Sequence, residues 1–178
     1  INYLNSYILK KNNFKNLPVN FTLLHLDEKW FEGHYYSDFT YMNLNLKNFS
    51  LLIKTIYKKF KKNIVITSGN INIEQFNLIK DYYFIQLKKN VFISNNFKNK
   101  LIFIDNTDFR DLENIVNKSN EVICCEGAIS HVSNAFNKKT LALINNIKTA
   151  RFWTSHMNNL ILIKRDNIMK ICKHISSL

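Results

Sequence analysis

The amino-acid sequence predicts an α/β domain: a doubly wound parallel sheet of Rossmann-like type with helices on both faces. The first observation is that short, continuously apolar segments recur along the chain, as expected of strands buried on both faces. The second is that they alternate with segments whose apolar residues recur at helical spacing. Strands and helices that follow one another in turn form βαβ units, which build a parallel sheet.

Two strands and two helices make up the first half of this prediction. FTLLHLD at 21–27 and NIVITSG at 63–69 are predicted strands. LKNFSLLIKTIYKKF at 46–60 is a predicted helix, and IEQFNLIKDYY at 73–83 is a shorter one. The lysine-rich KKFKKN at 58–63 ends the longer helix, where cations interact favourably with the helix dipole. The apolar residues of that helix fall on one face: Phe49, Leu52, Ile53, Ile56, Tyr57 and Phe60.

The second half continues the alternation. KLIFIDN at 100–106 and EVICC at 121–125 are predicted strands, and the helix FRDLENIVNKS between them begins after Thr107 or Asp108, either of which can cap it. Another helix follows EVICC. Its apolar residues at helical spacing are Ile129, Val132, Ala135 and Phe136. Three segments complete the prediction: strands KTLALIN at 139–145 and NLILIKR at 159–165, and a final helix, DNIMKICKHISSL, at 166–178.

The first 19 residues are weakly patterned and contain the single proline, Pro18. We interpret residues 1–19 as a linker, or as the tail of a further amino-terminal domain, and residues 20–178 as the Rossmann-like domain. No apolar run approaches the roughly 20 residues that a membrane helix needs, and no signal peptide is visible. The three cysteines are odd in number and lack zinc-site spacing, which predicts a reducing, cytoplasmic location.

The formal net charge of +12 raises the question of nucleic-acid binding. Arginine occurs only at Arg110, Arg151 and Arg165, so nearly all of the positive charge is lysine. The lysines accompany abundant Asn, Ile, Phe and Tyr, all residues with AT-rich codons, and genome composition explains that mixture. We therefore predict no nucleic-acid partner. An anionic membrane surface or a polyanionic lipid acceptor stays open as a partner.

The most informative stretch is CCEGAISHVSNAF at 124–136, where a strand ends and a helix begins near Gly127 or Ala128. Ligands of doubly wound sheets bind beyond the carboxyl ends of the strands, where the first amides of a helix form an anion site. Ser130 and His131 can add donors to a phosphate. Glu126 either accepts from a sugar hydroxyl or caps the helix. A strand–glycine–helix turn is common in α/β proteins, so a purely structural role is the alternative.

Residues 109–144, FRDLENIVNKSNEVICCEGAISHVSNAFNKKTLALI, resemble the carboxyl-terminal half of the glycosyltransferase family that includes the ADP-heptose:lipopolysaccharide heptosyltransferases. In that family the strand is followed by an Asp-Ser/Thr-Gly-x-x-His turn and a helix of small residues. Glu126 stands at the Asp position, Gly127 at the Ser/Thr position and Ala128 at the Gly position, and Ser130 and His131 complete the turn. The resemblance implies a GT-B fold, whose second Rossmann-like domain binds the nucleotide sugar.

Weaker similarities extend this resemblance from Phe21 to the carboxyl terminus. FTLLHLDEKW is similar to the strand that leads to a phosphate-contacting lysine, which implies that role for Lys29; a solvated lysine is the alternative. IVITSGNINIE is similar to the segment that ends in a ribose-binding glutamate, which implies that role for Glu74; a first-turn carboxylate is the alternative. Trp30 and Trp153 are interpreted as packing residues, and His25 as a core histidine.

The resemblance implies the donor-binding half of an inverting, metal-independent glycosyltransferase that needs no cofactor. The donor would be an ADP-heptose-like nucleotide sugar, and the acceptor lipopolysaccharide or another lipid-linked glycan at the cytoplasmic face of the inner membrane. The catalytic base would lie on a further domain. The turn departs from the family pattern, with Glu in place of Asp and Gly-Ala in place of Ser/Thr-Gly. Because of these departures, the donor can differ from ADP-heptose. The alternative is a non-catalytic nucleotide or sugar-nucleotide binding module, and the sequence upstream would distinguish the two.

Overall fold

An eight-stranded sheet organises the computed structural model, which describes residues 17–31, 42–94, 97 and 101–178. The strands are β1 Phe21–Leu26, β2 Asn63–Ser68, β3 Ile85–Lys88, β4 Val91–Ile93, β5 Leu101–Ile104, β6 Glu121–Cys125, β7 Lys139–Ile144 and β8 Leu160–Lys164. The helices are α1 Leu46–Phe60, α2 Glu74–Tyr83, α3 Phe109–Lys118, α4 Ala128–Ala135, α5 Ile147–Trp153 and α6 Ile168–Ser177. A 3-10 turn at Glu28–Trp30 follows β1.

The strands lie in the order β3-β4-β5-β2-β1-β6-β7-β8. Six of them, β5-β2-β1-β6-β7-β8, are parallel. Numbered by their occurrence in the chain, these six have the order 3-2-1-4-5-6, which is the order of the dinucleotide-binding Rossmann sheet. The chain therefore leaves β1 in one direction and later returns to its other side with β6. This topology confirms the predicted doubly wound α/β fold.

Helices cover both faces because neighbouring residues of each strand point to opposite sides. Leu24 of β1 and Ile66 of β2 belong to the core cluster that holds the apolar residues of α1, α2 and α6. Leu23 of β1 and Val65 of β2 belong to the cluster that holds those of α3 and α4. A third, smaller cluster packs Ala150 of α5 against β7. Two helical layers thus cover one sheet, as the continuous apolar strands predicted.

The helix ends follow local chemistry. The side chain of Asn45 accepts from Asn48 N at the start of α1, and Asp108 accepts from Asp111 N at the start of α3, which confirms Asp108 as a cap. Helix α1 ends with Lys58 and Lys59 in its last turn, as predicted, and with Lys61 in the left-handed conformation at φ 57°.

The hairpin β3–β4, helix α5 and the 3-10 turn at Glu28–Trp30 were not predicted from the sequence. The hairpin β3–β4 adds two antiparallel strands at the edge beside β5, so the sheet is mostly rather than wholly parallel. All four residues of β3 are exposed, so no buried face imposed an apolar pattern on it. Helix α5 is short and buries only Ala150, which leaves no helical periodicity to read.

The predicted domain boundary at residue 20 agrees with the start of β1 at Phe21 but stays a prediction, because most of residues 1–19 lies outside the described residues. No helix in the described part of the chain has both the length and the apolar character needed to cross a membrane. All three cysteines, Cys124, Cys125 and Cys172, are free and buried.

Candidate functional site

The candidate site lies where the direction of chain winding changes, between β1 and β6. These strands pair in parallel from Thr22 and Glu121 onward, so their carboxyl ends lie side by side at the same end of the sheet. The 3-10 turn Glu28–Trp30 follows β1 at this end, and Gly127 and α4 follow β6. In open α/β sheets this is the position of the ligand crevice. The fold thus brings Lys29 to the turn that the sequence analysis singled out 97 residues later.

Lys29 is the residue that joins the two loops. Its Nζ donates to the backbone oxygen of Glu126 at 2.9 Å and to Asp27 Oδ2 at 3.1 Å. Asp27 also accepts from Lys29 N through Oδ1, so the same carboxylate caps the turn and holds the ammonium group. Burial favours the neutral amine, but the charge and hydrogen bond of Asp27 outweigh it and raise the pKa of Lys29.

The turn that carries Lys29 is anchored from below. Trp30 is fully buried, and its Nε1 donates to the backbone oxygen of His25 at 3.1 Å. Trp30 is therefore a packing residue, as expected. His25 interacts with Thr67 Oγ1 through Nδ1 at 3.0 Å, and burial lowers its pKa to about 4. Through these bonds the turn that carries Lys29 is attached to the carboxyl ends of β1 and β2.

Gly127 has a backbone conformation that other residues rarely adopt, with φ 154° and ψ −165°. A Cβ atom at this position would lie 3.6 Å from Lys29 Nζ, an ordinary contact. Glycine is therefore required by the backbone angles rather than by lack of space. Gly127 and Ala128 are exposed, so the start of α4 is accessible from solvent.

No side chain caps α4. Ser130 N donates to the oxygen of Gly127 at 3.1 Å, and Ser130 Oγ donates to the same oxygen at 2.7 Å. Ser130 is fully buried, so its hydroxyl tightens the first turn from inside. The predicted phosphate contact of Ser130 stays a prediction, and this geometry gives it no support.

Glu126 does not cap α4, and its contact with a sugar hydroxyl stays a prediction. Its Oε1 accepts from Arg165 Nη2 at 2.7 Å, and its Oε2 accepts from Asn145 N at 3.2 Å. Arg165 is only 1% exposed, and its Nε donates to the oxygen of Leu143 at 3.4 Å. Glu126 thus ties together the ends of β6, β7 and β8, and its charge is neutralised by a buried guanidinium.

His131 is exposed and stacks on two rings. Its ring centroid lies 5.6 Å from that of Trp153 and 5.9 Å from that of His156. Trp153 ends α5 and is half-buried, so it packs against His131 while leaving part of its ring in solvent. The three rings form an aromatic group one helical turn from Ala128, beside the uncapped start of α4.

Glu74 is not part of this cluster. It is the exposed first residue of α2, after the loop that follows β2. β2 lies on the other side of β1 from β6, so Glu74 is at the same end of the sheet but on the far side of the crevice. No contact joins Glu74 to Lys29 or Gly127 within the described residues, and its ribose-binding role stays a prediction.

Sequence reasoning missed Asp27, Arg165 and His156. Asp27 had a usable signal, because an Asp directly before a turn commonly accepts from the backbone N–H two residues further on, here that of Lys29. Arg165 and His156 had none, since their partners Glu126 and His131 are distant along the chain. Among the described residues, no group of three or more His, Cys, Asp or Glu could hold a metal ion. Burial raises the pKa of all three cysteine thiols.

The fold has a counterpart among solved structures. The chain is similar to UDP-GlcNAc 2-epimerase from Methanocaldococcus jannaschii, with a TM-score of 0.54 and 14% identity over 89% of this chain and 38% of that one. No protein-family model matches the chain, and a search of curated proteins found no match. The likeness shows the fold: a Rossmann-like, GT-B-like α/β domain that spans well under half the length of that enzyme.

Proposed function

We propose that the domain binds the diphosphate of a nucleotide sugar beyond the carboxyl ends of β1 and β6, as the donor-binding part of a glycosyltransferase. The observation that carries the proposal is the position of Lys29. Its ammonium group is fixed 2.9 Å from the carbonyl that precedes Gly127, beside the uncapped and exposed start of α4. A lysine and a helix amino terminus that meet at the switch point form an arrangement that favours anions.

The charges around the crevice support this. A lysine ammonium has three donors, and two are used by Asp27 and by the backbone of Glu126, which leaves one for a ligand. The Glu126 carboxylate is paired with Arg165, so it does not repel an approaching phosphate. Gly127 carries no side chain over the first amides of α4. A diphosphate can therefore approach the helix start and the lysine together.

The predicted site residues other than Ser130 each have a place in this proposal, and Ser130 supports the first turn of α4 from inside. Lys29, Gly127 and Ala128 border the phosphate position, and His131 adds an imidazole one turn into α4. Glu74 would approach a ribose from the far side of β1. The oxygens of Glu126 already accept from Arg165 and Asn145. An ionised carboxylate has about four acceptor positions, so Glu126 would still accept from a sugar hydroxyl.

In the proposed reaction the acceptor hydroxyl attacks the anomeric carbon from the face opposite the diphosphate, and the configuration inverts. Negative charge develops on the departing diphosphate, and Lys29 and the start of α4 stabilise it without a metal. The acceptor proton passes to a base on a further domain. The family resemblance favours an ADP-heptose-like donor and a lipopolysaccharide or other glycan acceptor. The similarity to an enzyme named for a UDP-sugar supports the sugar-nucleotide class more broadly.

A non-catalytic nucleotide or sugar-nucleotide binding module is the second candidate. The observation that favours it is that Asp27 and Glu126, two carboxylates at the crevice, are both held in ion pairs. A base must accept a proton from the acceptor, and neither carboxylate is arranged for that. Sugar transfer in the presence of donor and acceptor would favour the enzyme, whereas diphosphate binding without transfer would favour the module.

The test is calorimetric titration of the chain with ADP, GDP, UDP and CMP. We expect one nucleoside diphosphate to bind and Lys29→Met to weaken it about 10- to 100-fold, as for loss of a charged hydrogen bond. His131→Ala should weaken it less. Lys62→Met is a matched control. The side chain of Lys62 is as exposed as that of Lys29 and also pairs with a carboxylate, that of Glu121, but this pair lies at the amino-terminal ends of the strands. Unchanged affinity in Lys29→Met, or an equal loss in Lys62→Met, would contradict the proposal.

A further inference from the structure

The outer side of α1 carries a line of lysines. One stripe along the helix and its carboxyl-terminal cap is exposed, with residues at alternating intervals of four and three. It consists of Lys47, Leu51, Lys54, Lys58 and Lys61. The opposite side of α1 is buried in the core through Phe49, Leu52, Ile53 and Ile56. Helix α1 contains no Asp or Glu. Every charged side chain on its solvent side is therefore basic.

Helix α6 extends this stripe. It lies beside α1 on the same face of the sheet, since both helices belong to one core cluster and Cys172 hydrogen bonds with Thr55 of α1. Lys170, Lys173 and His174 are exposed on α6. We call Lys47, Lys54, Lys58, Lys61, Lys170 and Lys173 the basic face. Asp166 is the carboxylate that accompanies it, in an exposed ion pair with Lys170.

Most of these lysines form no ion pair with a described carboxylate. Within the described part of the chain, no ion pair is formed by the basic face other than that of Lys170. By contrast, Lys29, Lys62 and Lys80 each pair with a carboxylate. Helix α3, on the other face of the sheet, has Asp108, Asp111 and Glu113 around its first two turns. Genome composition explains the number of lysines but not their separation from the acids.

We propose that the basic face binds the surface of an anionic lipid bilayer. Apolar side chains stand among its cations: Leu51 is 38% exposed and Met169 is 70% exposed. Lysines with interspersed apolar residues on a helix surface fit the headgroup region of a bilayer, where each lysine adds roughly 1 kcal/mol of attraction to anionic lipid. The inference is independent of the proposed nucleotide site, which lies at the end of the sheet rather than on this helical layer.

A bilayer fits this surface better than a nucleic acid does. The face has no arginine and no exposed aromatic side chain among its lysines, so it offers neither bidentate base contacts nor stacking platforms. Its two helices are packed on the sheet along their length, so neither projects to enter a groove. What the face offers is positive charge with small apolar patches.

The test is flotation of the whole chain with vesicles of phosphatidylcholine, with and without phosphatidylglycerol. We expect binding only to the anionic vesicles, weakened by salt. The variant with Lys47→Gln, Lys54→Gln and Lys58→Gln should bind about 100-fold more weakly, because each lysine contributes about fivefold. The control variant loses three exposed lysines from other surfaces and should bind like the wild type. Its substitutions are Lys88→Gln, Lys89→Gln and Lys139→Gln. Thermal unfolding of both variants checks that they are folded.

Three outcomes would overturn the inference. One is the absence of binding to anionic vesicles. Another is an equal loss of binding in the two variants, which would show that net charge acts without a defined face. The third is binding to duplex or single-stranded DNA that depends on Lys47, Lys54 and Lys58 when vesicles do not bind, which would assign the face to nucleic acid.

Discussion

At the scale of single residues, Lys29 and Gly127 decide the geometry of the crevice. Lys29 is fixed by Asp27 and by the carbonyl before Gly127, and Gly127 allows the chain to turn from β6 into α4 at φ 154°. One supplies charge and the other supplies access. The contact between Lys29 and the Glu126 carbonyl is not visible in the local sequence, because the two residues are 97 positions apart in the chain.

Gly127→Ala should destabilise the protein by about 1–2 kcal/mol, because an L-residue is strained at this φ. It should also weaken nucleotide binding by shifting the start of α4. Urea unfolding measures the first effect and calorimetry the second. Gly69→Ala is the control, since nothing lies within 4 Å of a Cβ there and no positive φ is involved. Equal unfolding free energies for the two variants would refute the strain argument.

His25 should make stability depend on pH. Its pKa is lowered to about 4 in the folded protein from an ordinary value of 6.5, so between these values the unfolded chain binds the proton more readily. The free energy of unfolding should therefore fall as the pH is lowered from about 6.5 to 4, by about 3 kcal/mol. Above pH 6.5 the contribution is constant. Urea unfolding across this range should show the slope, and His25→Gln should flatten it; an unchanged slope would exclude His25 as its source.

At the scale of elements, the ends of β6, β7 and β8 are joined by the Glu126–Arg165 pair. Arg165 is buried, and its partner is partly exposed, so the pair sits at the boundary between core and crevice. This ion pair joins the residue before Gly127 and α4 to the residue that directly follows β8. It also explains why a carboxylate can stand at the crevice without opposing an anion.

Glu126→Gln should destabilise the protein by about 2–4 kcal/mol, because it removes the carboxylate charge that pairs with the buried Arg165 guanidinium. Urea unfolding measures the change. Asp166→Asn removes the exposed partner of Lys170 and should leave stability nearly unchanged, since solvent screens that pair. A similar loss of unfolding free energy in both variants would mean that the burial of Arg165 does not determine how much its ion pair stabilises the protein.

At the scale of the whole molecule, stability should decrease from the centre of the sheet to the β3–β4 edge. β1, β2, β6 and β7 are covered by helices on both sides, whereas all residues of β3 are exposed. Amide hydrogens of the central strands should exchange only through global unfolding, and those of β3–β4 through local opening. Hydrogen exchange followed by mass spectrometry checks this. Equal protection of β3 and β6 would contradict it.

The sequence predicted the sheet, the two helical layers and the turn at Gly127, because each depends on local periodicity or on residues adjacent in the chain. It did not predict the β3–β4 hairpin, whose exposed strand had no buried face to impose a pattern. At the site it identified Lys29 and Glu126 but not their partnership. Arg165 lies 39 residues beyond Glu126, and only the parallel order of β6, β7 and β8 brings them together.

The buried cysteines have a practical consequence. Cys124 and Cys125 lie in the central strand β6, Cys172 lies in α6, and burial raises the pKa of each thiol. A thiolate is needed for alkylation, so iodoacetamide should not modify the native chain. The three thiols thus act as internal reporters of opening: early labelling of Cys172 would time the detachment of the last helix, and labelling of Cys124 and Cys125 would time the rupture of the sheet itself.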